Sequence, residues 1–535
     1  MSRLRKLSRL AAGVFALAAA PSALAEDRSQ ADLLIRGGQV FTGAEGASTV
    51  SDIVIVGDRI AYVGPDGARR YQAKRVLDAK GLIVAPGFID PHTHPETYIR
   101  SPDAGQRVNA PWVFQGVSTV FVGIDGWGSP DIGEDAAWFT ANGVGTNLVA
   151  YVGFAGVRER VIGQVARTPT AAELDRMKGL VAKAMCEGAL GLSAGLFYAP
   201  QSFAQTDEVI ALAREAATRG GIYDTHQRDE SSYSIGLLAS VREALRIGRE
   251  AGLPVHFAHI KALGVDVHGQ SGEVIRIIEE ARAAGQDVTA DQYPWTASGS
   301  TLESALLPRW ALDAGRPALM ARLGDPPVLE RIRAEMRENL RRRGGADAVL
   351  LTAADQAWTG KTLSEVAKSG GLNPIEAALR IVRAAQADTA IASFNMIEAD
   401  IKAFMVRPWV VTSSDGSDGH PRQFATFPTK YAKYVKTEHT IDLAEFIRSA
   451  TGRTADMYSL KDRGYLRPGY FADVVVFDPD RYAPRADYTH PHELSAGVEA
   501  LVVNGRLVLD GGKLTGLRPG RVLLHTAPAD TCRPA

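Results

Sequence analysis

The chain has 535 residues, 45% of them hydrophobic, with 60 Lys plus Arg set against 61 Asp plus Glu. That length exceeds what a single core organises, so two or more domains are expected. The even charge balance gives no global field to recommend a nucleic acid or an anionic membrane, and a small molecule is the better partner class.

The first residues, MSRLRKLSRLAAGVFALAAAPSALAEDRS, run from basic to apolar and reach Ala23-Leu24-Ala25 before the acidic Glu26. This is the pattern of a secretory signal over 1–25, with cleavage after Ala25 and export, to the periplasm, as the expectation. Its apolar run is short for a membrane span, which needs about 20 residues, and no later segment is suited to anchor the chain. Cys186 and Cys532 are the two cysteines, too few for a disulfide framework, and a single bridge between them stays open. Oligomeric state leaves no mark in the sequence.

Residues 26–85 contain ADLLIRGGQVFTG, SDIVIVGDRIAYVG and RVLDAKG, alternating β segments with Gly and Asp turns, and 466–535 repeat that texture in ADVVVFDPD and ALVVNGRLVLDGG. The two ends are expected to pair into one small β-sandwich. Between them, over 86–465, eight apolar segments each close on polar or small residues: LIVAPGFID, VSTVFVGID, TNLVAYVG, GALGLSAG, GGIYDTH, PVHFAHIK, QDVTADQY and WVVTSSDG. Most precede a helix-like stretch, which predicts an α/β chain with a TIM-type (β/α)8 barrel. The gap before WVVTSSDG is far longer than one helix requires and predicts an insertion at about 300–400. Within it, LERIRAEMRENLRRRGG reads as a charged helix with a solvated face.

In such a barrel the chemistry sits at the C-terminal strand ends. Strand one ends in His92 and His94, which leave on the same face if the segment is extended. Strand two ends in Asp125, strands five and six in His226 and His259, and strand eight in Asp415. Structural histidines have no reason to recur on one rim, so these six are candidate metal ligands. Imidazole and carboxylate without thiolate suit zinc and tolerate manganese, cobalt or iron. One or two ions per chain are expected. In the two-ion arrangement Asp125 bridges them, His92 and His94 hold one and His226 and His259 the other. Two metals about 3.5–4 Å apart would supply a nucleophilic hydroxide at neutral pH, and the reaction class is amide hydrolysis. Asp415 is the candidate acid/base, taking a proton from water and returning it to the leaving nitrogen.

PGFIDPHTH, GLSAGLFYAP, GGIYDTHQRDES, PVHFAHIKALG, SSDG with the following HPR, and LRPGYFADVVVFDPD together resemble the amidohydrolase superfamily, and within it the N-acyl-D-amino-acid deacylase family. The resemblance implies a TIM barrel with a small β-sandwich and hydrolysis of N-acyl-D-amino acids. It also implies zinc on His226 and His259, a second site at His92 and His94, and Asp415 as acid/base. Lys261, Tyr293, Ser298 and Arg422 lie in motifs that hold the substrate carboxylate in that family, a role suited to a guanidinium fork and an ammonium point charge. Two departures stand out. Asp125, in GIDG, replaces a cysteine common in the family's GNCG, and Phe154 stands where a histidine is usual, which is expected to reshape the pocket wall.

Two rivals remain at this point. A cyclic-amide hydrolase of the dihydroorotase or hydantoinase kind, or a dipeptidase, would share the scaffold, although GALGLSAG lacks the lysine that cyclic-amide hydrolases use to bridge their metals. A non-catalytic binding protein would be expected to lose ligands, and none of the six positions is lost.

Overall fold

The computed structural model describes residues 28–532. The expected signal segment, 1–25, lies outside them. Among the described residues no helix is long and apolar enough to cross a membrane.

The chain is α/β. It opens with β1 (Ser29–Val40), β2 (Thr49–Val56), β3 (Arg59–Gly64), β4 (Tyr71–Asp78) and β5 (Ile83–Pro86). A run of short strands follows: β6 (Phe88–Asp90), β7 (Val117–Val122), β8 (Asn147–Ala150), β9 (Val152–Gly153), β10 (Gly191–Gly195), β11 (Ile222–His226), β12 (Val255–Phe257) and β13 (Val288–Gln292). Then come β14 (Ala297–Thr301), β15 (Val349–Leu351), β16 (Ala390–Phe394) and β17 (Val410–Thr412), and last β18 (Val474–Phe477), β19 (Val498–Val503), β20 (Arg506–Asp510) and β21 (Lys513–Leu514).

The expected parallel strands are present as two ladders rather than one continuous ring. One runs β6-β7-β8 and the other β17-β13-β12-β11-β10-β9, both parallel. The break falls inside one segment, at Tyr151, whose N–H turns to Val122 O while Gly153 N–H goes to Gly128 O. At the other end β6 and β17 are joined beyond their strands by an isolated parallel bridge between Thr93 and Gly416. β10 is buried along its whole length, as parallel strands covered by helices should be. Helices Thr206–Thr218, Leu237–Ala251 and Ser271–Ala283 supply that cover, sharing one apolar cluster with the strands. Phe154 belongs to this cluster and does not line the site cavity, so its effect on the pocket wall is indirect.

Both chain ends enter one nine-stranded sheet, ordered β21-β20-β19-β18-β5-β1-β2-β3 with β4 on β1. The contiguous run VVVF of β18 is apolar because both of its faces are covered. Val474 and Val476 join Leu33, Ile53 and Val502, while Val475 and Phe477 join Phe88, Val117 and Leu501. Between β13 and β17, which pair directly, the chain leaves to build an antiparallel sheet, β14-β16-β15, with helices and an apolar cluster of its own. Helix Pro326–Arg342 in this segment is the expected charged helix, and Arg333 and Arg341 do pair with Glu376 and Asp266 toward solvent. Its basic run does not end there, however. Arg343 is 1% exposed, because the chain turns inward after the helix.

Cys186 and Cys532 form a disulfide across a separation of 346 residues. It fastens the C-terminal tail to the end of helix Ala171–Cys186, ahead of β10 and so at the opposite end of that strand from the candidate site. A cross-link of this span constrains the unfolded chain and is worth about 2–4 kcal/mol. Reductant should therefore lower the thermal midpoint of the native protein and leave that of a Cys186→Ser/Cys532→Ser variant unchanged, as read by differential scanning calorimetry.

Candidate metal centre and substrate cavity

The six candidate ligands converge. His226 is the last residue of β11, whereas His92, His94, Asp125, His259 and Asp415 lie two to four positions past their strands. His-Thr-His is thus not itself a strand. It stays extended because Asp415 N–H donates to His92 O and His94 N–H donates to Gly416 O, both at 2.9 Å. That pairing carries the two imidazoles and the Asp415 carboxylate to one place.

Three of the six hold left-handed backbone: Asp125 (φ 55°), His259 (φ 36°) and Asp415 (φ 48°). Non-glycine residues pay for that conformation and keep it where the side chain is needed at that spot. Around Asp125 the turn is fixed by Gln201, which accepts from Gly195 N–H at 2.7 Å and donates to Asp125 O at 2.8 Å.

Asp125 is 3% exposed and is the hub. Its Oδ1 lies 3.4 Å from His92 Nε2, 3.5 Å from His259 Nε2 and 3.7 Å from His226 Nδ1, and its Oδ2 lies 3.6 Å from His94 Nε2. Asp415 Oδ1 faces His92 and His94 at 3.6 and 3.4 Å. These spacings are too long for hydrogen bonds and fit donors arranged around a cation. His92, Asp125, His259 and Asp415 each offer a donor atom within 4.8 Å of the other three. Both nitrogens of His92 and Oδ1 of Asp125 are buried with no hydrogen-bond partner, which is costly unless something else binds them. Burial alone would raise the Asp125 and Asp415 carboxyls. For Asp125 the surrounding imidazoles, and for Asp415 Arg422 with those imidazoles, instead hold them well below the usual carboxylate range. Burial pushes His226 down to about 3, leaving a neutral imidazole able to ligate. The residues present therefore fit a divalent metal.

Glu230 was not read from the sequence as part of the site, although it stands four residues past His226 in the quoted HQRDES. Its Oε1 accepts from Lys261 Nζ at 2.8 Å and lies 3.3 Å from His259 Nδ1, while Lys261 Nζ reaches that same nitrogen at 2.6 Å. The pair fixes the His259 ring plane with Nε2 turned to Asp125. Asp291, at the end of β13, accepts from His259 N–H at 2.8 Å and contacts His256 Nε2 at 2.9 Å. Its signal was the closing acid of QDVTADQY.

Beside the donors lies a narrow cavity, lined among others by His226, Glu230, Lys261, Tyr293, Ser298 and Asp415. Lys261 Nζ and Arg422 Cζ lie 5.4 and 4.9 Å from the Tyr293 ring centre, and Ser298 Oγ contacts Asn395 Oδ1 at 3.2 Å. The four expected substrate residues are thus together. Arg422 Nη1 lies 2.7 Å from Asp415 Oδ2 and its Nη2 donates to Ser417 Oγ at 3.2 Å. A Cβ on Gly299 would stand 2.6 Å from Arg422 Nη2, so only glycine leaves room for the guanidinium. Both cations already have a carboxylate partner, Arg422 with Asp415 and Lys261 with Glu230.

Comparison with known proteins follows the same lines. The amidohydrolase family profile matches residues 75–509. D-aminoacylase of Alcaligenes xylosoxydans xylosoxydans is 32% identical over 530 residues, covering 94% of this chain and 99% of that protein. A D-aminoacylase structure described for its binuclear metal centre superposes with a TM-score of 0.78 at 30% identity, over 92% of this chain and 100% of the other. N-acyl-D-glutamate deacylase of Bordetella bronchiseptica, solved with zinc and a phosphonate mimic of the tetrahedral intermediate, gives a TM-score of 0.79 at 29% identity, over 93% and 100%. The chain belongs to the amidohydrolase family.

Proposed function

We propose that this protein is a metal-dependent deacylase that hydrolyses the amide bond of N-acyl-D-amino acids, giving a carboxylate and a free amino acid. The observation that carries the reading is the convergence of four buried metal donors beside a cavity whose wall holds Lys261, Tyr293 and Ser298. Its relatives act on, or are named for, this substrate class, and zinc is the metal present in one of them.

His92, His94, Asp125, His226, His259 and Asp415 would hold one or two zinc ions, or another divalent metal in their place. A metal there supplies Lewis acidity toward the amide carbonyl and acidifies water near neutral pH. The remaining work belongs to the side chains. Ser298, Tyr293, Lys261 and Arg422 orient the substrate through its carboxylate, with Arg422 shared between that group and Asp415. Asp415 accepts a proton from the attacking water and delivers it to the leaving nitrogen. Aromatic rings, half-buried Tyr198 and buried Phe197, pack against His226 at 4.7 and 5.6 Å and shield the reacting atoms from bulk water.

The same reading extends to architecture and location. The parallel strands are taken to close as a (β/α)8 barrel over 86–465 with an insertion at about 300–400, supported by the Thr93 to Gly416 bridge and the chain continuity at Tyr151. The terminal sheet, from 26–85 and 466–535, is taken as the small sandwich. Export to the periplasm rests on the Ala23-Leu24-Ala25 pattern and agrees with a disulfide, which persists in oxidising compartments.

The direct test offers the purified protein paired N-acyl-D- and N-acyl-L-amino acids, dipeptides and hydantoins, with metal content measured alongside. Turnover of the D-series is expected, and turnover confined to hydantoins would place the protein among cyclic-amide hydrolases. Asp125→Ala should lose bound metal and nearly all turnover, while Asp125→Cys should keep part of both and shift preference toward zinc, the softer ion for a thiolate. A full metal complement in Asp125→Ala would remove Asp125 from the ligand set. Arg422→Ala should cost about 2–4 kcal/mol in kcat/KM on N-acyl amino acids and less on the matching amides, because the lost partner is a carboxylate. Mature protein from its native host should begin at Glu26, as read by N-terminal sequencing of fractionated cells.

A further inference from the structure

Two arginines beside the cavity have no acid to answer them. Arg343 is 1% exposed, and its two hydrogen bonds go to neutral hydroxyls, Tyr233 at 2.8 Å and Ser393 at 3.0 Å. Arg309 donates from Nη1 to Ser304 O at 2.7 Å, and its Nη2 is buried without a partner. Among the described residues neither has a carboxylate oxygen within 4 Å, whereas Arg422 and Lys261 have Asp415 and Glu230. Asp229, below the same loop, spends its oxygens on the backbone N–H groups of Ser231, Tyr233, Ser234 and Gly236.

Arg343 stands at the reaction site, and half-buried Arg309 adjoins it across Phe197. Arg343 lines the same cavity as His226 and Asp415. It is held on Ser393, whose ladder partner in the antiparallel sheet is Ser298. Arg309 lies 3.8 Å over the Phe197 ring, which itself packs on His226. Tyr233 lies between them, with its ring centre 5.9 Å from Arg309 and 5.8 Å from Arg343. Burial and the repulsion of Arg343 act together to push Arg309 down to about 10. Buried charge without a counter-ion is expensive, and an arginine cannot shed its proton at neutral pH to escape the cost. A substrate with one carboxylate, taken by Arg422 and Ser298, leaves both arginines unanswered, and a second carboxylate supplies one counter-ion for the two to share.

We propose that Arg343 and Arg309 form a second anion pocket that selects substrates carrying a carboxylate in addition to the one at the α-carbon. This rests on the deacylase reading and narrows it to dicarboxylic N-acyl amino acids. The second group comes either from the amino-acid side chain or from the acyl chain.

Matched pairs separate these sources: N-acetyl-D-glutamate against N-acetyl-D-glutamine, N-acetyl-D-aspartate against N-acetyl-D-asparagine, and N-succinyl-D-leucine against N-butyryl-D-leucine. The expected result is a preference in kcat/KM of about 10- to 100-fold for the acid in at least one pair, the range for a charge-assisted contact. The favoured pair names the source. Arg343→Met should collapse that acid-to-neutral ratio and Arg343→Lys should restore part of it. The ratio is unmoved by a general folding defect, which lowers both members of a pair alike, and Arg309→Met gives an independent reading. Neutral substrates turned over as well as their acids in every pair would overturn the pocket while leaving the deacylase reading intact. If no N-acyl amino acid is hydrolysed, the deacylase reading fails, and calorimetry with glutarate and butyrate decides the pocket separately. Glutarate binding that exceeds butyrate binding and is lost in Arg343→Met supports it, and equal or absent binding of the two overturns it.

Discussion

A buried carboxylate facing four imidazoles governs the rest of this structure. Asp125 sits under 4 Å from His92, His94, His226 and His259, in a place where neither the acid nor an isolated cation would be stable alone. Holding these groups together requires that five segments, from distant parts of the chain, end at one level. Parallel strands provide that level, because neighbours in register finish side by side. The left-handed residues at Asp125, His259 and Asp415 then aim the final side chains, at a conformational cost that the surrounding packing sustains. Outside this ring a layer of acids and cations, Asp291, Glu230, Lys261 and Arg422, fixes the rings and balances charge.

Part of the cavity wall comes from elsewhere in the chain. Ser298, Arg309 and Arg343 come from the segment inserted between β13 and β17, which has its own sheet and apolar cluster. Because β13 and β17 pair directly, the insertion leaves their register undisturbed and overhangs the strand ends. The cavity wall is thus mixed, with Lys261 and Tyr293 following strands of the same parallel ladder as His226, His259 and Asp415, and Ser298 and Arg343 carried on a separately packed unit. The terminal sheet acts on neither directly. Its inner face shares a core with β6 and β7, and the disulfide holds the tail against the far end of the strands.

Much of the site was legible because periodic chemistry marks it. Repeated apolar segments closing on His or Asp identify strand ends, and all six candidate ligands do meet. What escaped the sequence was acid and base that pair across the fold. Glu230 looked like one more polar residue in HQRDES, and only its place against Lys261 and His259 gives it a task. Arg343 looked like the tail of a solvated helix. Charge in a linear run is a surface signal by default, and burial reverses its meaning.

The sequence by itself determined the parallel-strand repeat, the donor chemistry at the strand ends, the pairing of the two termini in one sheet and the place of the insertion, because each follows from local pattern: hydrophobic period, residue type and spacing. It left the disulfide open and pointed Arg343 outward. Only the tertiary structure decided which carboxylate answers which cation, where the left-handed turns fall, and which arginines remain unanswered. Those depend on distances between segments far apart in the chain, and ion pairing in a buried site is set by such distances rather than by composition.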